Sequence, residues 1–206
     1  ASFIGGTMGL VAGFFEGTAI FGGNTTSIQI LHGDNLILID TGFGVTNLGE
    51  KLLQEILSQK RQVSAHIFYT HFHWDHIQGL PFFQPIYIPS TTLSLYSPEP
   101  EEIIMENLDL LFDGSYSPFS GILSMPSKIQ FKQLLGSMCI DGLTIEYRLV
   151  DHGSRAYAFR FTDQAGHSVL VATDHEGRPS TINQGLVEFG QNCDLLIHDA
   201  QYTPEE

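Results

Sequence analysis

The chain has 206 residues, of which 42% are hydrophobic and 16% are charged, so it is long enough for one globular domain with a core. Nine Lys and Arg residues against 23 Asp and Glu residues give a formal charge of −14, and a surface of this sign repels long nucleic acids. No apolar run reaches the length of a bilayer span, which argues against a membrane partner.

The two cysteines, Cys139 and Cys193, form neither a Cys-x-x-Cys pair nor a disulfide framework. This usage favours a reducing compartment, so we expect a cytoplasmic protein in which both cysteines are small core residues. The first ten residues lack the basic start and apolar centre of a signal peptide, which agrees with that expectation.

The first elements predicted along the chain are a hairpin and a helix. Two apolar runs, 27–31 and 36–39, flank His32-Gly33-Asp34-Asn35 and predict a β-hairpin. Five apolar residues at helical spacing then predict an amphipathic helix, capped by Thr46 or Asn47. These apolar positions are Leu48, Leu52, Leu53, Ile56 and Leu57.

A dense cluster of metal-ligand side chains follows the next apolar run, residues 66–69. Three imidazoles and one carboxylate fall within six residues: His71, His73, Asp75 and His76. Because alternate residues of an extended chain share a face, His71 and His73 should point to one side, and a turn can present the other two nearby. Such donors suit zinc, and also manganese or iron. Phe72 and Trp74 should pack around this motif.

The rest of the chain predicts mixed strands with helices between them. Residues 80–89 predict a loop or short strand, Glu99–Phe112 a helix, and residues 113–126 an irregular segment. Asp163-Gln164-Ala165-Gly166 predicts a turn between two strands. Further strands are expected at 129–134, 143–150, 157–161, 168–172 and 195–198. This pattern alone indicates an α/β or α+β class.

Three more ligand-type residues lie at the ends of predicted strands. His152 follows the strand 143–150, and Asp174 ends the apolar run 168–173. Strand ends are where ligands bind in layered α/β folds, although a surface histidine and a turn aspartate are the plain alternatives. Asp40 ends the strand of the hairpin, where a carboxylate can orient the ring N–H of a ligand histidine.

These motifs resemble those of the metallo-β-lactamase superfamily of metal-dependent hydrolases, in order and in rough spacing, from about Gly22 to Tyr202. The matching pieces are the His-x-His-x-Asp-His run, Asp40-Thr41-Gly42, Asp151-His152-Gly153, Thr173-Asp174 and His198-Asp199-Ala200. The last piece is similar to the branch of tRNA 3′-processing endonucleases and cyclic phosphodiesterases. The resemblance implies an α/β (α+β) fold, the four-layer αββα sandwich, in a single domain over residues 1–206.

The resemblance also implies two divalent transition metal ions, with zinc ahead of manganese or iron. The implied metal ligands are His71, His73 and His152 for the first ion and Asp75, His76 and Asp174 for the second, and the Asp174 carboxylate can bridge the two ions. Catalytic roles would fall to Asp75 and to Asp199, the latter in proton handling, although a structural hydrogen bond is nearly as good an account of Asp199. Asp40, His175 and His198 would lie around the ligands or in the pocket.

Two departures from the family pattern are visible. Relatives continue past the position of Tyr202 with a segment that supplies a final histidine ligand, whereas this sequence stops at Glu206, so we expect the domain to lack or not to show that segment. Gly5-Gly6-Thr7-Met8-Gly9 stands where the branch has a more basic turn. Without the final histidine, the second ion has only three ligands from the chain.

The resemblance and the charge together predict a phosphodiesterase that acts on a small or cyclic phosphodiester through a metal-bound hydroxide. Candidate phosphate partners are Arg155, Arg160 and Arg178. Hydrolysis of a thioester, lactone or β-lactam is the alternative, as is a metal-binding sensory domain without turnover. We expect no long nucleic acid as substrate, and a homodimer is compatible with the sequence. His32, His66 and His167 should play no catalytic part.

Overall fold

The computed structural model describes residues 3–5, 23–59, 62–176 and 182–198. The chain divides into two compact units, residues 1–133 and residues 134–206. Each unit is built around its own β-sheet.

The first unit contains a sheet that is six-stranded within the described residues, with the strands in chain order. Its strands are β1 (Phe3–Gly5), β2 (Ile28–His32), β3 (Asn35–Ile39), β4 (Ser64–Phe68), β5 (Thr92–Ser97) and β6 (Lys128–Gln133). β1, β2 and β3 pair antiparallel, and β3, β4, β5 and β6 pair parallel. Ile39 pairs with Phe68, so the segments that follow β3 and β4 leave the sheet side by side.

Helices and 3₁₀ turns connect these strands. The helices are α1 (Val45–Gln59), α2 (Trp74–Ile77) and α3 (Glu101–Asp109), and 3₁₀ turns lie at Leu80–Phe82, Gln84–Tyr87, Leu110–Phe112 and Ile122–Ser124. α1 buries Leu52 and Ile56 in the same apolar core as Leu36 and Leu38 of β3, as its helical spacing requires. Within the described residues, none of the helices is long and apolar enough to cross a bilayer.

The second unit contains a sheet in the order β11-β10-β9-β8-β7, counted over the described part of the chain. Its elements are β7 (Met138–Ile140), β8 (Leu143–Val150), β9 (Ala156–Thr162), β10 (Ser168–Ala172), the helix α4 (Gln184–Phe189) and β11 (Leu195–His198). β7 to β10 pair antiparallel, and β11 joins β10 in parallel. The predicted turn between β9 and β10 is confirmed: Asp163 Oδ1 accepts hydrogen bonds from the backbone N–H groups of Ala165 and His167.

The prediction of 80–89 as loop or short strand was wrong, because this segment forms two 3₁₀ turns. α1 begins at Val45, one residue before the expected cap, and the Thr46 hydroxyl donates instead to Phe43 O at 2.8 Å. β5 was missed: its serines interrupt the apolar pattern, yet Ser94 is buried and donates to Gln130 Oε1 at 3.3 Å. A satisfied small polar side chain therefore occupies a core strand position.

The expectation that both cysteines lie in the core is wrong for Cys139, which is exposed on the short strand β7. Cys193 is half-buried and packs against the apolar cluster that includes Leu170 and Leu186. Neither cysteine forms a disulfide.

Close backbone packing holds the turn after β4 against the loop after β3. Thr41 N donates to His76 O at 2.8 Å, and Gly79 N donates back to Thr41 O at 2.8 Å. Thr25 Oγ1 accepts from Phe43 N at 2.7 Å and from Gln78 Nε2 at 2.9 Å, which ties both segments to the chain before β2.

Glycine is required where these segments meet. A Cβ on Gly42 would lie 2.4 Å from Asp75 O and 2.4 Å from Thr26 O, and one on Gly79 would lie 2.3 Å from Gly42 O. Backbone atoms cannot yield as a flexible side chain can, so a methyl group at either position forces the two segments apart.

We predict that Gly42→Ala lowers the free energy of unfolding by about 3 kcal/mol, because the added Cβ collides with two backbone carbonyls. The matched control is Gly23→Ala, since nothing lies within 4 Å of a Cβ at Gly23. The control should change the free energy by no more than about 0.5 kcal/mol. Urea denaturation of both variants measures the difference, and equal effects would contradict the packing described.

Candidate functional site

Asp40 is the buried carboxylate around which the site of the first unit is arranged. It follows β3 with a φ of 57°, in the left-handed region where Asp and Asn are enriched among non-glycine residues. Its backbone N–H donates to Phe68 O at 2.9 Å. Its side chain accepts from Thr70 N, from the Thr70 hydroxyl and from His76 Nδ1, each at 2.8 Å. The carboxylate thus fixes both the start and the end of the histidine motif.

Three imidazoles of the motif are in ring-to-ring contact. The ring centroid of His71 lies 4.4 Å from that of His73 and 4.2 Å from that of His76. His71 and His76 are buried, whereas His73 is exposed. Thr70 Oγ1, which donates to Asp40, also lies 3.1 Å from His71 Nδ1. The structure therefore brings together His71, His73 and His76, as alternation predicted for the first two and the turn predicted for His76.

The two nitrogens of His76 face two carboxylates. Nδ1 is hydrogen-bonded to Asp40 Oδ2, and Nε2 lies 3.4 Å from Asp75 Oδ2. Two ligands of a tetrahedral ion with bonds of about 2.0–2.1 Å are about 3.3 Å apart, so these two atoms have the separation of ligands of one ion. The nitrogen and oxygen donors of the motif fit a divalent transition metal.

The environment shifts the pKa values of the two carboxyl groups in opposite directions. Burial raises the pKa of Asp40, while His76 and Thr70 oppose the shift by charge and hydrogen bonding. Asp75 is half-exposed, and its contact with His76 lowers its pKa to about 2. Asp75 is therefore ionised at neutral pH, the state that a metal ligand needs.

The second unit places His152 after β8 and Asp174 after β10, two strands that both pair antiparallel with β9 and therefore end at the same edge of the sheet. His152 Nε2 lies 3.8 Å from Asp174 Oδ2, and His152 Nδ1 lies 3.0 Å from Glu176 Oε1. His152 and Glu176 line a cleft of 610 Å³ together with the residues between Leu149 and Arg155.

Other predicted pocket residues in this unit have varied surroundings. His175 Nδ1 lies 3.2 Å from His198 Nε2, with the rings edge to face. Asp199 and Arg178 lie outside the described residues. Arg155 lines the cleft. The guanidinium of Arg160, another predicted phosphate partner, donates hydrogen bonds to Phe189 O, Gln191 O and Ser168 Oγ.

Thr70 and Glu176 are residues of the site that sequence reasoning missed. Alternation offers a signal for Glu176, since residues two apart on an extended chain share a face and Asp174 is two residues earlier. Thr70 has no comparable signal, because its contact with Asp40 joins residues from two strands. The packing prediction holds for Phe72, whose ring lies 5.6 Å from that of Tyr69, but is wrong for Trp74, which is 66% exposed.

The three histidines expected outside the site have structural surroundings. His66 Nδ1 lies 3.1 Å from the Tyr96 hydroxyl on the neighbouring strand. His167 is 73% exposed and contacts Asp163 in the turn before β10. His32 ends β2 at the predicted hairpin.

The family model of the metallo-beta-lactamase superfamily matches residues 20–200. A ribonuclease Z of Pyrococcus horikoshii is 31% identical over 89% of this chain and 71% of its own length. The chain therefore belongs to the metallo-β-lactamase superfamily, in the branch of the tRNA-processing and phosphodiesterase enzymes.

Solved structures support the fold. The metallo-beta-lactamase fold protein YhfI from Bacillus subtilis superposes with a TM-score of 0.63 at 20% identity, over 98% of this chain and 70% of that one. The short form of human tRNase Z superposes with a TM-score of 0.58 at 18% identity, over 88% of this chain and 73% of that one. The predicted fold class is confirmed, and the family makes the protein a metal-dependent hydrolase.

We predict that Asp40→Ala lowers the free energy of unfolding by about 3 kcal/mol, because it leaves three buried donors without their acceptor. Asp40→Asn should cost less, since Asn tolerates the same backbone conformation and keeps one acceptor oxygen. The control is Asp34→Ala in the exposed turn of the hairpin. Urea denaturation ranks the three, and an Asp40→Ala protein as stable as the control would refute the assigned role.

Proposed function

We propose that this protein hydrolyses a small or cyclic phosphodiester with two divalent metal ions, zinc in the first place. Family membership supports metal-dependent hydrolysis, and the ribonuclease Z relative supports a phosphodiester bond as its target. The observation that carries the proposal is the arrangement around His76, which is bonded to Asp40 through one nitrogen and faces Asp75 with the other.

The proposed ligands are those that the family resemblance implies. His71, His73 and His152 would hold one ion and Asp75 and His76 the other, and the carboxylate of Asp174 would contribute to both. The nitrogen and oxygen donors fit these ions, and each unit places its own donors after the carboxyl ends of strands. The family match spans residues 20–200, so it includes parts of both units, which supports one domain over the chain.

Bound ions of this kind activate water and stabilise negative charge on phosphate oxygens. The chain's own residues supply orientation. Asp40 accepts a hydrogen bond from the Nδ1–H group of His76, which leaves Nε2 as the ligand atom. Thr70 bonds Asp40 and contacts His71, so both buried imidazoles are held by one connected set of hydrogen bonds. We also propose that Asp75 and Asp199 act in catalysis. His175 and His198 would line the pocket.

Charge favours a small substrate over a long nucleic acid. The protein carries nine Lys and Arg residues and a formal charge of −14. Binding a phosphate backbone requires clustered cationic side chains, because each neutralised phosphate contributes through counterion release. One of the predicted phosphate partners, Arg160, is already engaged with the carbonyl groups at the end of α4.

The second candidate function is cleavage of precursor tRNA. It is favoured by the 31% identity to a ribonuclease Z, over most of this chain. The two functions differ in the size of the substrate and in the salt dependence of turnover, so one assay separates them.

We predict that removing metal with a chelator lowers the melting temperature, and that adding back zinc or manganese restores it, because ions that bind only the native state stabilise it.

Asp75→Ala and His76→Ala should bind less metal and lose at least about 100-fold in turnover of bis-p-nitrophenyl phosphate. His167→Ala is the control, as an exposed histidine outside the motif. Elemental analysis and thermal melts check binding, and unchanged turnover in Asp75→Ala would rule out the two-ion scheme.

We predict that a cyclic nucleotide or a dinucleotide is hydrolysed faster than precursor tRNA. The turnover of these small substrates should change little between about 50 and about 200 mM salt. Salt screens the contacts within a small cleft only weakly, whereas binding to the phosphate backbone of a nucleic acid weakens steeply as the salt concentration rises. Parallel assays at the two salt concentrations make the comparison. Efficient cleavage of tRNA without hydrolysis of the small substrates would favour the second function.

A further inference from the structure

Glu176 stands out in the second unit because it contacts the predicted ligand His152 although no motif includes it. Its Oε1 lies 3.0 Å from His152 Nδ1 and accepts a hydrogen bond from Gly153 N at 3.2 Å. Its own backbone N–H donates to Asp151 O at 2.7 Å. These contacts join the segment after β10 to the segment after β8, at His152 and the two residues beside it.

The orientation of the His152 ring has a chemical consequence. A neutral imidazole carries one proton, so a proton on Nδ1 facing Glu176 leaves a lone pair on Nε2. Nε2 in turn faces Asp174 Oδ2 at 3.8 Å, beyond hydrogen-bond distance. Two lone-pair atoms that face each other at this separation are arranged to share a cation.

We propose that Glu176 is a positioning residue for the metal centre, which holds His152 in the tautomer and ring orientation that present Nε2 to the ion. The inference rests on the proposed function, since it assigns His152 to a metal. Glu176 acts through His152 and needs no contact with the substrate. Its side chain is 60% exposed, so its presence is not explained by packing in the core.

The surroundings separate this role from a purely structural one. The backbone hydrogen bond from Glu176 N to Asp151 O survives any change of the side chain. Truncation of the carboxylate therefore leaves the two segments joined and removes only the contacts with His152 and Gly153. Replacement by glutamine keeps an acceptor oxygen for both contacts but removes the negative charge.

The test is Co²⁺ binding by the whole chain. Titration measures the affinity, and the visible absorption of the bound ion reports its ligand field. We expect Glu176→Ala to weaken Co²⁺ binding about 10- to 100-fold, the usual cost of removing a group that orients a ligand histidine. The absorption bands should shift, because the ligand field changes with ring orientation and basicity. Glu176→Gln should lose less than Glu176→Ala, since it can still orient the ring.

The matched control is Glu188→Ala, an exposed glutamate of the same unit on α4. It should bind Co²⁺ as the unaltered protein does, with the same spectrum. His152→Ala gives the effect of losing the ligand itself, and unfolding of the metal-free variants shows that each retains its fold.

The role of Glu176 would be overturned if Glu176→Ala and Glu176→Gln bound Co²⁺ with the same affinity and spectrum as Glu188→Ala. The proposed function would not be affected by that result. If the unaltered protein binds no Co²⁺, the proposed function fails, and this inference falls with it. A spectrum altered in Glu176→Ala and largely restored in Glu176→Gln supports orientation by hydrogen bonding.

Discussion

A single buried carboxylate organises the site of the first unit. Asp40 accepts hydrogen bonds from the backbone and hydroxyl of Thr70, where the histidine motif begins, and from His76, where it ends. A buried carboxylate is costly unless its oxygens are hydrogen-bonded, so the arrangement of these donors and the burial of Asp40 depend on each other. The opposed effects on its pKa, raised by burial and lowered by His76, express the same balance.

The surrounding backbone follows from this constraint. To direct its carboxylate under the motif, Asp40 leaves β3 in a left-handed conformation. The loop after it then passes so close to the turn after β4 that Gly42 and Gly79 have no room for a Cβ. Thr25 accepts a hydrogen bond from each segment, which ties both of them to the chain before β2. The fold thus fixes the position of the histidine motif relative to Asp40.

Local patterns predicted much of this arrangement, and contacts between strands account for most of the rest. Alternation along the chain was sufficient to group His71 with His73, and the strand end was sufficient to place Asp40 near a histidine. The link from Thr70 to Asp40 depends on the parallel register of β3 and β4, which no local pattern contains. β5 was missed because its buried serines resemble a polar loop, and Trp74 lies exposed although size and apolarity favour burial.

Metal binding by imidazole and carboxylate groups of this chain, without its cysteines, is what the proposed activity requires. The most direct measurement is X-ray absorption of the zinc-loaded protein at the zinc edge. The account predicts nitrogen and oxygen neighbours at about 2.0–2.1 Å, with the outer-shell scattering of imidazole rings and no sulfur shell. A sulfur shell at about 2.3 Å, or a spectrum without imidazole scattering, would contradict it.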